Sequence, residues 1–343
     1  MVLDLGVQET GPDGAAWALA LRGLDAAALA PAAGAPGAAD PLVRAWTLRG
    51  APHAYRRADL PSVAAAVRPW SDADAAKRVF DAAKPLEAAG IPVRQALDAL
   101  AAAQRELVRE PTPKGALSTA LTARMPAPYL RDCRACAATH PYEQPFRLAA
   151  LAAGLELLPG TSPPVLAPVP GLRPAAAPEP RHEPVRAVLH LLGPCTPKQV
   201  AAHVDAPLAE VRARWPEDAV EVVVDGEARS LLAGDVDDLA ADPPGGTRLL
   251  GPYDLLLQGR DRATLVPDPA RARELWPVLG RPGAVLHGAE LVGTWRPRAA
   301  ARDLRVVVTP WRPLPRAAQQ GVQEQAERLA AHRGRRLAGV ETA

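Results

Sequence analysis

At 343 residues, 48% apolar and 23% charged, the chain is long enough for two or three domains with cores of their own, and its composition excludes a disordered or fibrous protein. A formal net charge of +2 excludes a strongly basic body, so an anionic partner has to be met by uneven placement of charge. No apolar run approaches ~18 residues, and Met1-Val2-Leu3-Asp4 is not a charged-then-apolar leader; neither a membrane span nor a signal peptide is expected, and the place of action is predicted to be the cytoplasm.

In chain order, Gly14 to Arg22 reads as a short helix, and Arg44 to Leu48 with His53 to Arg56 as a hairpin around Arg49-Gly50-Ala51-Pro52. Asp59 to Val67 is a further helix. Ser71 to Ala89, Val93 to Val108, Thr112-Pro113 through Arg124, and Tyr142 to Ala153 are predicted helical, followed by the apolar strand Leu155 to Leu158. The stretch from Pro159 to Pro184 is dense in proline and lacks periodicity, so it reads as a semi-rigid linker.

The segment from Pro184 to Leu232 is the most informative. Val185, Val188, Leu189 and Leu192 fall at i, i+3, i+4 and i+7 behind a first-turn proline, which marks an amphipathic helix ended by Gly193-Pro194. Thr196, Pro197 and Gln199 supply a cap, a first-turn proline and a capping-box partner for a helix through Val204. Pro207 restarts the chain, with Leu208, Val211 and Trp215 facing in and Arg212 and Arg214 facing out. Val220, Val222 and Val224 alternate up to Asp225-Gly226, a two-residue hairpin turn, and the chain returns to Leu232. Helix, helix-turn-helix and hairpin in that order make a winged helix, a fold that presents one helix to a DNA major groove. Beyond it, Leu249 to Leu257, Ala263 to Val266, Ala284 to Leu286, Leu291 to Trp295 and Leu304 to Val308 are predicted as five short strands of a small barrel or curled sheet, before a helix near Arg316 to His332.

The segments LGVQETGPDGAAWALALRG, WTLRGAPH, CRACAATH followed by FRLAALAAGLEL, GPCTPKQVAAHV, RLLGPYDLLLQGRDR and LVGTWR together resemble the AlkZ/YcaQ-like DNA glycosylase family, whose members carry the label winged helix DNA-binding domain-containing protein. The resemblance covers nearly the whole chain. It implies an α+β fold: tandem winged-helix units clasped with a C-terminal β-barrel-like domain into a C-shaped body whose concave side holds DNA. On that reading residues 1–68 are a first winged helix, 69–158 a second, 159–183 the linker, 184–240 a third and 241–343 the small barrel with its C-terminal helix. The implied activity is hydrolysis of the N-glycosidic bond of alkylated bases, bulky adducts and some crosslinks included.

The family's catalytic motif is Gln, an apolar residue, then Gln or Asp. Aligned on LGVQ, the corresponding positions are Gln8, Glu9 and Thr10; the first is kept and the other two depart. The chain begins close to this motif, with little of the helix the family places before it, as in a shortened start. A polar group that orients water beneath the anomeric carbon suits an oxocarbenium-like transition state, and a cationic alkylpurine leaves without a strong acid. Thr10 is no base near neutral pH, and losing a general base removes ~10²- to 10⁴-fold in rate. Glu9 is a carboxylate one residue early; on a helix it would point about 100° off the motif face.

Candidate DNA contacts are Arg49, His53, Arg56 and Arg57 around the first hairpin, Lys114, Lys198, Arg212 and Arg214 on helices, and Arg260 and Arg262 near Tyr253, Asp254 and Gln258. For His53 the competing reading is a solvated turn, and for the Tyr253–Arg262 cluster a structural salt-bridge corner. Trp46, Trp215 and Trp295 read as core. Cys133, Cys136 and His140 form C-x₂-C-x₃-H, which Cys195 would complete as a zinc site; with three local ligands and one distant one the pattern is incomplete, and reduced buried thiols are common. No cofactor is otherwise expected, and the partner is duplex DNA, damaged, bound by a monomer. The alternative is a winged-helix DNA-binding protein without glycosylase action, a lesion binder or regulator, which Thr10 favours. A remoter one is a protein-interaction scaffold.

Overall fold

The computed structural model describes residues 1–11, 14–24, 40–300 and 302–343, with the backbone alone at 299 and 300. Of the expected first winged helix, residues 12–13 and 25–39 thus lie outside the described residues. The protein is mixed α+β and divides into two compact units, Met1–Glu9 with Pro31–Ala233, and Thr10–Ala30 with Gly234–Ala343.

In the first unit a three-stranded antiparallel sheet runs in the order Val7–Gln8, Pro52–Arg56, Leu42–Trp46. The last two are the hairpin read from the sequence, closed by Arg49 in the left-handed region at φ 58°. Leu42–Trp46 is buried at every position, so Arg44 carries its charge into the interior and has to find partners there. The helices Val93–Leu107, Lys114–Arg124 and Glu143–Ala152 bury Leu97, Leu100, Leu117, Leu121 and Phe146 in one core with Trp46.

The helix expected from Ser71 to Ala89 is broken. It runs as Asp72–Val79, a single tight turn Phe80–Ala82 and then Ala83–Ala88. Pro85 explains this: in one continuous helix it would have no N–H for the carbonyl of Asp81 and its ring would strike that carbonyl, whereas in the first turn of a new helix it costs nothing. The proline-rich stretch read as a linker contains a strand, Val165–Pro168, paired with Leu155–Leu157 on one side and Thr112–Pro113 on the other.

Next come the helices Pro184–Leu192, Pro197–Val204 and Leu208–Ala213 and the hairpin Ala219–Val224 with Glu227–Leu232. The capping box forms: Thr196 Oγ1 accepts from Gln199 N at 3.2 Å, and Gln199 Oε1 accepts from Thr196 N at 2.7 Å. Asp225 and Gly226 both have positive φ, 50° and 81°, the signature of a turn whose twist matches the flanking strands.

In the second unit the helix Gly14–Ala20 is anchored through Trp17, whose indole N–H donates to Leu249 O at 2.8 Å inside a core of Val285, Val306, Val308, Val322 and Leu329. Five strands form one curled sheet in the order Thr247–Leu250, Gly283–His287, Glu290–Ala300, Asp303–Pro310, Arg336–Thr342. The first four are antiparallel; the fifth returns parallel after the helix Arg316–His332. The strand expected from Leu249 to Leu257 ends at Leu250 and gives way to a helical turn, Leu255–Gln258, and the one expected from Ala263 to Val266 is a helical turn, Arg262–Leu265. The reason is Asp254: its carboxylate accepts from Leu256 N at 3.0 Å, capping a helix where the apolar run alone reads as a strand. Gly283 is required where it stands, because a Cβ there would lie 2.2 Å from Trp295 Nε1, which donates across it to Leu250 O.

Candidate active site on the N-terminal strand

Gln8 lies on the short strand Val7–Gln8, directly opposite His53, and Glu9 extends the ladder by donating its N–H to Pro52 O at 2.8 Å. Directly opposed residues of an antiparallel pair share a face, and successive residues alternate. Gln8 therefore shares its face with His53 and Tyr55, and Glu9 belongs to the other, with Arg44. The contacts agree. Arg44 Nε is 3.8 Å from the Glu9 carboxylate, while Arg44 Nη1 donates to Asp40 at 3.0 Å. The sequence placed Glu9 about a hundred degrees off the motif face; in the strand it is on the reverse side.

Behind Gln8 is a buried polar array. His53 Nδ1 is 3.0 Å from both Ala51 O and Thr47 Oγ1, Thr47 Oγ1 is 2.8 Å from the Tyr55 hydroxyl, and that hydroxyl donates to Leu5 O at 3.3 Å. A carbonyl can only accept, so Nδ1 carries the proton and Nε2 is the acceptor. Burial, and then the charge of Arg49, push His53 down to about 3, so the imidazole is neutral at any physiological pH. Burial raises the Tyr55 hydroxyl in the same way. Gly6 completes the array: at φ 88° it brings the backbone under the Tyr55 ring, where a Cβ would be 2.5 Å from the ring carbon that bears the hydroxyl. Gln8 itself is half-buried, and Thr10 lies beyond the strand end.

Most of the cations predicted as DNA contacts are committed inside the protein. His53 is 3% exposed and uncharged, so it does not present an imidazolium to a phosphate. The Arg49 guanidinium donates to His203 O. Arg56 pairs with Asp4 and Asp59 at 2.6 and 2.8 Å, Arg57 with Glu156 at 2.8 Å, Lys114 with Glu143 at 2.8 Å, and Arg214 with Glu210 at 2.6 Å while lying over the Trp70 ring. Their sequence neighbourhood marks them as basic, but the acids that neutralise them are remote in the chain for Arg57, nearly a hundred residues away, and so invisible to spacing. Lys198 and Arg212 are exposed on neighbouring helices.

In the second unit, Arg262 stacks over Trp276 and Arg281 over Tyr253. Burial and the like charges of Arg260 and Arg281 lower the Arg262 pKa, which marks this corner as electropositive. Asp254, buried, instead takes a bidentate pair from Arg22 at 2.8 and 2.9 Å, and Gln258 donates to Tyr253 O at 2.7 Å; these two serve the turn. Trp46 and Trp295 are buried, as expected, and Trp215 only partly.

The sulfur ligands separate. Cys133, Cys136 and His140 meet on one hairpin, their ligating atoms all within 4.8 Å of one another, and His140 with Cys136 draws the Cys133 thiol down to about 7. Cys195 does not join them. It is buried in the turn before Pro197–Val204, where its backbone pairs with Ser230 and its thiol donates to Leu192 O. A second cluster, Asp4, Asp59 and His182, is filled by the guanidinium groups of Arg56 and Arg181. Among the described residues no helix is long and apolar enough to cross a membrane.

Sequence reasoning missed Thr47 and Tyr55, which join His53 in the buried hydrogen-bonded array on the face of Gln8. Strand alternation from Gln8 through its neighbours is the signal that would have found them, but it requires knowing that Val7–Gln8 pairs with Pro52–Arg56.

The fold is similar to that of the Streptomyces sahachiroi DNA glycosylase AlkZ, with a TM-score of 0.69 at 22% identity over 100% of this chain and 92% of that one. No curated protein sequence matches the chain. A family model described as DNA glycosylase AlkZ-like matches residues 2–332, so the chain belongs to the AlkZ-like DNA glycosylase family.

Proposed function

We propose that the protein is a DNA repair glycosylase that hydrolyses the N-glycosidic bond of an alkylated base in duplex DNA, acting as a monomer in the cytoplasm, with Gln8 as its water-orienting residue. Its helix–helix–hairpin segment 184–240 is read as a winged helix, and 1–68 and 69–158 as two more, with the 159–183 stretch between them and the third and the sheet of 241–343 as the barrel-like part. Exposed Lys198 and Arg212 are assigned to the DNA backbone, and Arg260 and Arg262 to a phosphate on the second unit.

The observation that carries this reading is the placement of Gln8: half-buried at a strand end, on the face of a buried, uncharged hydrogen-bonding array of His53, Thr47 and Tyr55. An uncharged array on the face of Gln8 adds no positive charge beside a sugar that becomes cationic. The bond broken is C1′–N. The oxygen of the water held by the Gln8 amide bonds to C1′, the cationic alkylpurine leaves as a neutral base, and the proton of the water passes to solvent.

One observation favours the second reading, a DNA lesion binder without glycosylase action. Glu9, the carboxylate nearest the motif, lies on the far face against Arg44 and does not stand in for the third motif residue, which here is Thr10. Incubation with a duplex carrying an N7-alkylguanine separates the two. Released base and an abasic site, reduced at least ~10²-fold by Gln8→Ala and little changed by Glu9→Gln, is the expected result. Binding without base release overturns the glycosylase and leaves the binder.

A further inference from the structure

We infer that the hairpin Leu130–Cys133 with Ala138–Pro141 carries a binding site for one thiophilic divalent cation, zinc, with Cys133, Cys136 and the imidazole of His140 as ligands and a water in the fourth position.

Three independent features of the hairpin lead there. The first is proximity: all three ligating atoms lie within 4.8 Å of one another. With Zn–S about 2.3 Å and Zn–N about 2.0–2.1 Å, a tetrahedral ion needs ligand atoms roughly 3.5–3.8 Å apart. The contraction is about 1 Å, which rotation of an exposed Cys136 side chain supplies.

The second is the imidazole. His140 Nδ1 lies 2.8 Å from Pro141 O. A carbonyl only accepts, so Nδ1 is protonated, and the lone pair sits on Nε2. A backbone carbonyl holding the second nitrogen is the arrangement that orients metal-binding histidines and sets their tautomer.

The third is the turn. Cys133-Arg134-Ala135-Cys136-Ala137 reverses the strand with Ala137 at φ 48°. A left-handed alanine is strained, and glycine would remove that strain. The turn nonetheless keeps both thiols on the side of His140, and Cys136 is exposed, so no core is gained by burying it. Two thiolates and one imidazole suit zinc far better than magnesium or calcium, which take oxygen ligands. Two thiolates also neutralise the ion, so the bound site adds no net charge to the hairpin.

The site lies at the tip of a hairpin based on Tyr129, which packs in the first-unit core; a bound ion would pin that tip without touching Gln8. This inference does not depend on the glycosylase reading.

The test uses the full chain, reduced and freed of metal, then titrated with zinc and separately with cobalt. Uptake of about one equivalent with sub-micromolar affinity, and a thiolate-to-cobalt charge-transfer band with tetrahedral ligand-field bands, is expected. Cys136→Ser and His140→Ala should each weaken binding at least ~100-fold, while His140→Cys, which restores a third soft ligand, should retain the cobalt spectrum with an added thiolate contribution. No uptake by the reduced native chain overturns the site; so does uptake that survives Cys136→Ser. Circular dichroism on each variant shows that it is folded, and His140→Cys keeps the test decisive if His140→Ala is not.

Discussion

Three side chains and one backbone position define the chemistry around Gln8. His53, held neutral by burial and by Arg49, is charged in the unfolded chain below about 6.5 and uncharged in the folded one down to about 3. The unfolded state therefore binds the extra proton, and stability falls as pH drops through that window, by at most about 1.4 kcal/mol per pH unit from this group. Urea unfolding at pH 7, 5.5 and 4.5 should show that slope, and His53→Gln should lack it; equal slopes in the two proteins would mean that His53 does not titrate as placed. Thr47 joins His53 to Tyr55, so Thr47→Val should leave a buried acceptor or donor unmade at a cost of about 1–3 kcal/mol and lower base release through a displaced Gln8. A variant as stable and as active as the native chain would remove the array from the argument.

At the scale of elements, the strand that carries Gln8 is two residues long and is kept in place by what flanks it. Gly6 links the helix Val2–Leu5 to that strand at φ 88°, beneath the Tyr55 ring. Gly6→Ala adds a strained φ, about 1–2 kcal/mol, and an overlap with the ring, about 1–3 kcal/mol more, so a loss of roughly 2–5 kcal/mol is expected in thermal or urea unfolding. The ion-pair cluster at the start of Leu60–Ala66 is a second tether. Burial pushes the Asp59 carboxyl up, but Arg56 and Arg181 outweigh it and hold the pKa below the usual range. Its stabilisation is thus present above about pH 4 and disappears as pH falls toward the depressed value. Asp59→Asn should lower stability at pH 7, by an amount that shrinks steadily as pH falls below about 4, measured side by side. Arg56 and Arg181 are partly exposed, so water weakens the pairs and the difference is about 1–2 kcal/mol and no more.

For the molecule as a whole, the division of its cations is the property that reaches DNA. Cations already paired within the fold release no counterions on binding, whereas exposed ones do. Replacing Lys198 or Arg212 by Ala should lower the slope of log K against log salt by about one each, with unfolding unchanged. Replacing Arg57 by Gln should instead weaken the fold, by breaking the pair with Glu156, and leave that slope unaltered. Titrations of a labelled duplex at several salt concentrations check both; a slope that changes with Arg57 and not with Lys198 would reverse the assignment.

Much of this protein is decided locally, and the sequence alone determined those parts. The capping box at Thr196, the Asp225-Gly226 turn, the hairpin around Arg49 and the helix Arg316–His332 depend on residues within a few positions of one another, which is why each is legible from spacing. The choice of Gln8 as the proposed water-orienting residue came from resemblance to the family's motif and not from local spacing. Three things were not legible. The break at Phe80 was hidden because helical periodicity continues across it, although Pro85 already forbade a single helix. The turns at Leu255–Gln258 were hidden because three leucines fit a strand equally well until Arg22, more than two hundred residues earlier in the chain, clamps the capping Asp254. The fate of the charges was hidden for the same reason: whether Arg57 or Lys114 faces solvent or a carboxylate, and whether Arg56 meets Asp4, is settled by which distant segments the fold brings within 3 Å, and a pairing of that kind leaves no trace in local order. Tertiary structure alone put Gln8 and Glu9 on opposite faces, because only a strand partner fixes which way each side chain points.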